Sequence, residues 1–117
     1  MKTRARRIEK PWGYELIFAE TASYVGKILH IRKGERLSLQ YHRIKEETIF
    51  LASGKMLFVY EENDGSLAEH VLEQGDTHHI PKGKRHRMTA IEDCDVFEVS
   101  TPHLDDVVRL EDSYGRS

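Results

Sequence analysis

The sequence predicts an all-β protein, built as a double-sheet barrel or sandwich, and three observations carry the prediction. Short runs rich in apolar and β-branched residues recur at close intervals, at 25–31, 37–42, 47–52, 56–60, 68–72, 77–80, 86–90 and 95–100. Turn residues separate them, among them Gly34, Gly54, Asp64-Gly65, Gly75 and Pro81-Lys82-Gly83. No stretch carries the three-to-four-residue apolar spacing of an amphipathic helix. At 117 residues the whole chain, 1–117, is read as one domain. It is long enough to bury roughly two-thirds of its unfolded surface.

Taken in order, residues 1–9 read as a flexible basic arm, with Lys2, Arg4, Arg6 and Arg7 against one acid, Glu9. Pro11-Trp12-Gly13 opens ordered structure, and Trp12, the only tryptophan, is expected to cap the barrel or a subunit contact. In the strand at 25–31, Val25, Lys27, Leu29 and Ile31 share a face. Lys27 either turns that face to solvent or enters the interior. Residues 52–55 form a tight hairpin at Gly54. The run 56–60 is apolar on both faces, as in a strand covered on each side. In the tail, 102–117, Val107, Val108 and Leu110 alternate with charged residues, which predicts a last strand or a lid packing on the barrel.

Composition excludes several classes. Lys plus Arg is 18 and Asp plus Glu is 20, for a net charge of −2. That balance offers no electrostatic case for nucleic acid or an anionic membrane as partner. A small anionic substrate needs only two or three basic side chains. The lone Cys94 sits among Glu92, Asp93 and Asp95, neighbours that disfavour a thiolate, so it reads as structural. No apolar run suits a signal peptide or a membrane span, and a cytoplasmic location is expected.

Two stretches carry chemistry. Gln40 and His42 lie two apart on a strand and so point to one spot. Glu47 begins the next strand on the face of Ile49 and Leu51, an unusual place for a carboxylate unless something pairs with it. His86 follows the Pro81-Lys82-Gly83 turn. If the strands close into a barrel, one carboxylate, two imidazoles and an amide oxygen meet, a set suited to one divalent metal. Of the adjacent His78 and His79, only one can face inward.

The spacing of these residues resembles the paired motifs of the cupin superfamily. Gly34, His42, Glu47 and Gly54 match the first motif; Gly75, Pro81, Gly83 and His86 match the second. Gln40 stands where the first motif has a histidine, and Ala90 where the second has an asparagine. A Gln-x-His pair, with Lys10-Pro11-Trp12-Gly13-Tyr14-Glu15 and the segment 107–116, is similar to the C-terminal isomerase domain of bifunctional mannose-6-phosphate isomerase/mannose-1-phosphate guanylyltransferases. The resemblance runs from Lys10 to Arg116 and includes no nucleotidyltransferase half.

It implies a jelly-roll barrel, a homodimer, and metal ligation by Gln40, His42, Glu47 and His86. Zn leads as the metal, with Mn, Co, Ni or Fe as alternatives. The implied activity is metal-dependent aldose–ketose isomerisation of a sugar phosphate. Such a reaction needs a base near the metal. Lys27, Glu98 and one of His78 and His79, with His78 carried forward, are the candidates. Lys84 or Arg85, in the basic loop around His86, is expected to hold the phosphate, because Arg87 lies on the opposite face. Two rivals are a non-catalytic carbohydrate- or metabolite-binding cupin and an Fe(II) oxygenase.

Overall fold

The computed structural model describes residues 2–117 and contains eleven strands in two antiparallel sheets. These are β1 (Arg6–Lys10), β2 (Gly13–Glu20), β3 (Val25–Ile31), β4 (Leu39–Tyr41), β5 (Glu47–Ser53), β6 (Lys55–Glu61), β7 (Leu67–Glu73), β8 (Thr77–Ile80), β9 (His86–Ala90), β10 (Cys94–Ser100) and β11 (Val108–Glu111). One sheet has the order β1-β2-β3-β10-β5-β8, the other β11-β4-β9-β6-β7. The strands thus alternate between layers as in a jelly roll. Among the described residues there is no helix, and so none long and apolar enough to cross a membrane.

Alternation sets the interior. On β3, Val25, Lys27, Leu29 and Ile31 are all buried, and on β10 the buried set is Cys94, Val96, Glu98 and Ser100. Lys27 therefore shares its inward face with Val25, Leu29 and Ile31, and Glu98 shares its own with Val96 and Ser100, while Phe97 and Val99 turn outward. Phe58, Leu29, Ile49, Leu51 and Met56 anchor the core between the sheets, each at most 1% exposed. Full burial of one such side chain contributes roughly 1.5–3 kcal/mol. Trp12, in the turn between β1 and β2, joins this core at 2% exposure.

The β5–β6 hairpin turns at Gly54, whose φ of +94° is left-handed. A Cβ there would stand 2.1 Å from the carbonyl oxygen of Asp93. Glycine is required on both counts.

The N-terminal reading needs correction. Arg6–Lys10 is not a free arm but an edge strand in full register with β2, from Arg6 opposite Ile17 to Lys10 opposite Gly13. Its side chains are mostly exposed, so its hydrophobic signal is weak and backbone pairing holds it. The strand expected at 37–42 is shorter, at Leu39–Tyr41. The tail adds β11 beside β4 and then packs Tyr114 against the core. Arg87 fastens it, donating to Leu37 O and, through Nη2, to Glu111 O at 3.0 and 3.1 Å.

Candidate metal centre

Three buried side chains converge at one end of the barrel. His42 follows β4, Glu47 opens β5 and His86 opens β9, and their donor atoms lie within 4.8 Å of one another. The hydrogen bonds of the two imidazoles define their tautomers. His42 Nδ1 is 2.5 Å from Asp106 O, and His86 Nδ1 is 2.9 Å from Lys84 O. A carbonyl only accepts, so each Nδ1 carries a proton, and the Nδ1–H tautomer presents a lone pair at Nε2.

Those lone pairs face Glu47 Oε1 at 3.5 and 3.3 Å, and neither Nε2 has a hydrogen-bond partner. Two nitrogen lone pairs and a carboxylate oxygen pointed at each other repel unless a cation lies between them. The donor set fits one divalent metal ion. The charge of Lys45, 2.9 Å from Oε2, favours the ionised form of the Glu47 carboxyl against the cost of its burial.

Gln40 lies beside the cluster. It lies directly across the ladder from His86 and accepts a hydrogen bond from Ser38 Oγ at 2.7 Å through Oε1. With two lone pairs on that oxygen, the Ser38 contact leaves one free.

A cavity of about 340 Å³ adjoins the centre. His42 and Gln40 form part of its wall, as do Lys27, Lys45 and Glu98. This volume is at the small end of ligand pockets.

Along that wall runs a chain of buried ion pairs. Lys27 Nζ donates to Glu15 Oε2 at 3.1 Å and stands 3.5 Å from Glu98 Oε2. Lys45 Nζ joins Glu98 Oε2 at 3.1 Å to Glu47 Oε2 at 2.9 Å. Burial by itself would lower the Lys45 amine, but the charges of Glu98 and Glu47 outweigh it and hold it above the ordinary lysine range. Burial, reinforced by the Glu47 charge, pushes the Glu98 carboxyl up, and Lys27 and Lys45 only partly counter it.

The sequence-predicted residues therefore separate into groups. His42, Glu47 and His86 come together, with Gln40 beside them. Lys27 and Glu98 face the cavity. His78 turns inward and His79 outward, yet His78 does not line the cavity. Its ring packs against Phe58 and Tyr60, with centroids at 4.9 and 4.2 Å. Burial, then the neighbouring histidines, lowers its pKa.

Lys84 and Arg85 also lie away from the cavity. Arg85 donates to Glu61 Oε1 and Gly65 O at 2.9 and 2.7 Å, and Lys84 approaches Glu62 O at 3.4 Å. The β6–β7 hairpin and its turn hold both side chains, and for Arg85 the pleat that turns His86 inward leaves the preceding residue outside. Cys94 is fully buried, and burial lifts its thiol to about 11, as an inert structural cysteine requires.

Sequence reasoning missed Lys45 and Glu15. Lysine at the start of a strand normally reads as solvated, and its only signal is the short spacing to Glu47. Asp106 was missed as well. Its carbonyl orients His42, while its carboxylate accepts from the backbone amides of Arg43, Ile44 and Lys45 at 3.2, 2.7 and 2.8 Å.

Two antiparallel sheets, eleven strands and an inward His–Glu–His set define a cupin-type barrel. More narrowly, the chain belongs to the mannose-6-phosphate isomerase C-terminal family, whose sequence model matches residues 1–112. No curated protein matches it.

Among solved structures, an oxalate decarboxylase variant from Bacillus subtilis superposes with a TM-score of 0.79 at 15% identity, over 91% of this chain and 30% of that one. KdgF from Halomonas sp. gives 0.74 at 18% identity, over 84% and 88%. CapF, solved with the inhibitor 3-isopropenyl-tropolone, gives 0.81 at 18% identity, over 94% and 35%. A further oxalate decarboxylase structure concerns Mn(II) centres of that protein. The chain spans about a third of the decarboxylase and of CapF, and these likenesses establish the fold.

Proposed function

We propose that this chain is a metal-dependent sugar-phosphate isomerase domain, interconverting an aldose and a ketose phosphate of the mannose-6-phosphate/fructose-6-phosphate kind. One observation carries the reading, in a chain of this family. A His42–Glu47–His86 set with unpartnered nitrogens shares a wall with a buried carboxylate–amine relay, at a cavity sized for a monosaccharide.

A metal held by His42, Glu47 and His86, with Gln40 as fourth donor, supplies Lewis-acid polarisation of the carbonyl and hydroxyl oxygens. Zn leads the donor-set argument, with Mn, Co, Ni and Fe also suited to nitrogen and oxygen ligands. The chain's own residues move the proton. Glu98 reaches the cavity wall and takes the proton from the carbon next to the carbonyl, the hydroxyl proton passes to the former carbonyl oxygen of the enediolate, and Glu98 then returns its proton to the former carbonyl carbon. Lys27 and Lys45, at 3.5 and 3.1 Å from Glu98 Oε2, hold that carboxylate in place and balance its charge. The apolar walls at Leu29, Leu37 and Met88 limit water around the intermediate. The reading includes a homodimer, which sedimentation analysis checks.

The test is elemental analysis followed by a coupled assay of mannose-6-phosphate to fructose-6-phosphate with the metal restored. The expected result is stoichiometric metal and turnover, with Glu98→Gln keeping the metal and losing about a hundredfold or more in kcat. Stoichiometric metal without turnover would overturn the isomerase reading. Two histidines and one carboxylate are also the donors of non-haem iron oxygenases, and oxygen uptake on Fe(II) loading would favour that second reading.

A further inference from the structure

The structure assigns a phosphomonoester subsite to the C-terminal strand, with Arg109 as its central residue and Lys10 and Arg116 beside it. This deepens the proposed function and rests on it for the identity of the sugar. The binding of a phosphate group stands on separate observations.

The first is register. Arg109 on β11 lies directly opposite Gln40 on β4, and Gln40 lies directly opposite His86 on β9. Directly paired residues of antiparallel strands project to the same face, so Arg109, Gln40 and His86 form one row across the sheet. Two strand spacings separate the ends of the row, about 10 Å in all. A hexose phosphate extended along it would set its carbonyl end by the metal ligands and its phosphate by Arg109.

The second observation is an unmet hydrogen-bond donor. Arg109 Nε is buried and has no partner, while Nη1 donates to Ser117 O at 2.9 Å. A buried guanidinium N–H without an acceptor is costly, and a phosphate oxygen satisfies it with a charge-assisted bond.

The third is charge. Of the acids lining the cavity, Glu15 and Glu98 are engaged by Lys27 and Lys45, and Glu20 is engaged by Arg6 at 3.0 Å. Asp105 is the remaining acid. Against it stand Lys10 and Arg109, neither of which pairs with a carboxylate among the described residues. Arg116 also lines the cavity, its charge matched by Asp112, which it meets through Nε and Nη2 at 3.0 and 2.9 Å. The unpaired positive charge thus gathers on β1 and the tail, away from the carboxylate-rich inner wall. Lys84 and Arg85 have no share in it.

Titration calorimetry of the metal-loaded protein tests this with inorganic phosphate, mannose-6-phosphate and mannose as probes. Arg109→Ala should weaken phosphate and mannose-6-phosphate about tenfold or more while leaving mannose unchanged. Arg109→Lys, which keeps the charge but not the fork, should fall between. Lys10→Met, at a half-buried edge position where folding is not at stake, should weaken both phosphate probes less. Lys84→Ala should match the wild type.

Wild-type phosphate affinity in both Arg109→Ala and Lys10→Met would overturn the subsite. So would equal affinity of the wild type for mannose and mannose-6-phosphate. The two readings can fail separately. Arg109-dependent phosphate binding without isomerase turnover supports the subsite and removes the isomerase. Turnover with an unchanged KM for mannose-6-phosphate in Arg109→Ala removes the subsite and keeps the isomerase.

Discussion

The Lys45 amine stands 2.9 Å from Glu47 Oε2, on the carboxylate whose other oxygen faces both His42 and His86. A single side chain therefore ties the carboxylate of the candidate metal centre to Glu98 and to the cavity. Glu47 has one oxygen for the metal and one for the lysine, which fixes its rotation. The hydrogen bonds of His42 and His86 to backbone carbonyls fix the two rings in the same way. The centre is held from outside by residues that do not touch the metal position.

Lys45→Met should therefore destabilise the chelator-treated protein by about 3 kcal/mol, because it strands the Glu47 carboxylate in the interior and leaves Glu98 with Lys27 alone. Urea unfolding of both proteins measures the difference. A loss within experimental error of zero would mean that the ion pair is compensated elsewhere.

His86→Ala should abolish stoichiometric metal while leaving the fold intact. The substitution removes one of three clustered donors and with it the lone-pair repulsion in the metal-free state. Elemental analysis reads the metal, and circular dichroism reads the strands. Metal retained at one equivalent would remove His86 from the site.

Acid should loosen the tail. Hydrogen bonds from the Arg116 side chain, and then from its backbone amide, outweigh burial and hold the Asp112 carboxyl down at about 2 in the folded state. An unfolded aspartate titrates at about 3.9. The stability this group contributes is complete above that value and is lost as pH falls through about 2. Unfolding free energies measured at pH 5 and near pH 2.5 should converge more in Asp112→Asn than in the wild type, meaning that the variant loses less on acidification. Equal losses in both proteins would show that the Asp112–Arg116 clamp does not couple to global stability.

The separation between what could be read early and what could not follows residue type. Strand positions were legible wherever apolar alternation was strong, as on β3, β5, β6 and β10. The edge strand β1 was not, since Arg6-Arg7-Ile8-Glu9-Lys10 carries one apolar residue and its pairing with β2 is a backbone matter. The cluster of His42, Glu47 and His86 was legible because a carboxylate opening the apolar face of Ile49 and Leu51 is unusual and because the spacing of the three to the glycine turns follows a known pattern. The basic loop misled, because Lys84 and Arg85 adjoin His86 in sequence while their partners, Glu61, Glu62 and Gly65, lie on another hairpin.

By itself the sequence determined the class of fold and singled out the candidate metal donors, since period-two alternation and turn chemistry are local properties. Only the tertiary structure decided which charges are buried with which. Lys45 is 53 positions from Glu98, and Lys27 is 12 from Glu15. A lysine stays charged in an interior only where carboxylates from other strands meet it. That meeting depends on how the sheets close, which no local pattern records.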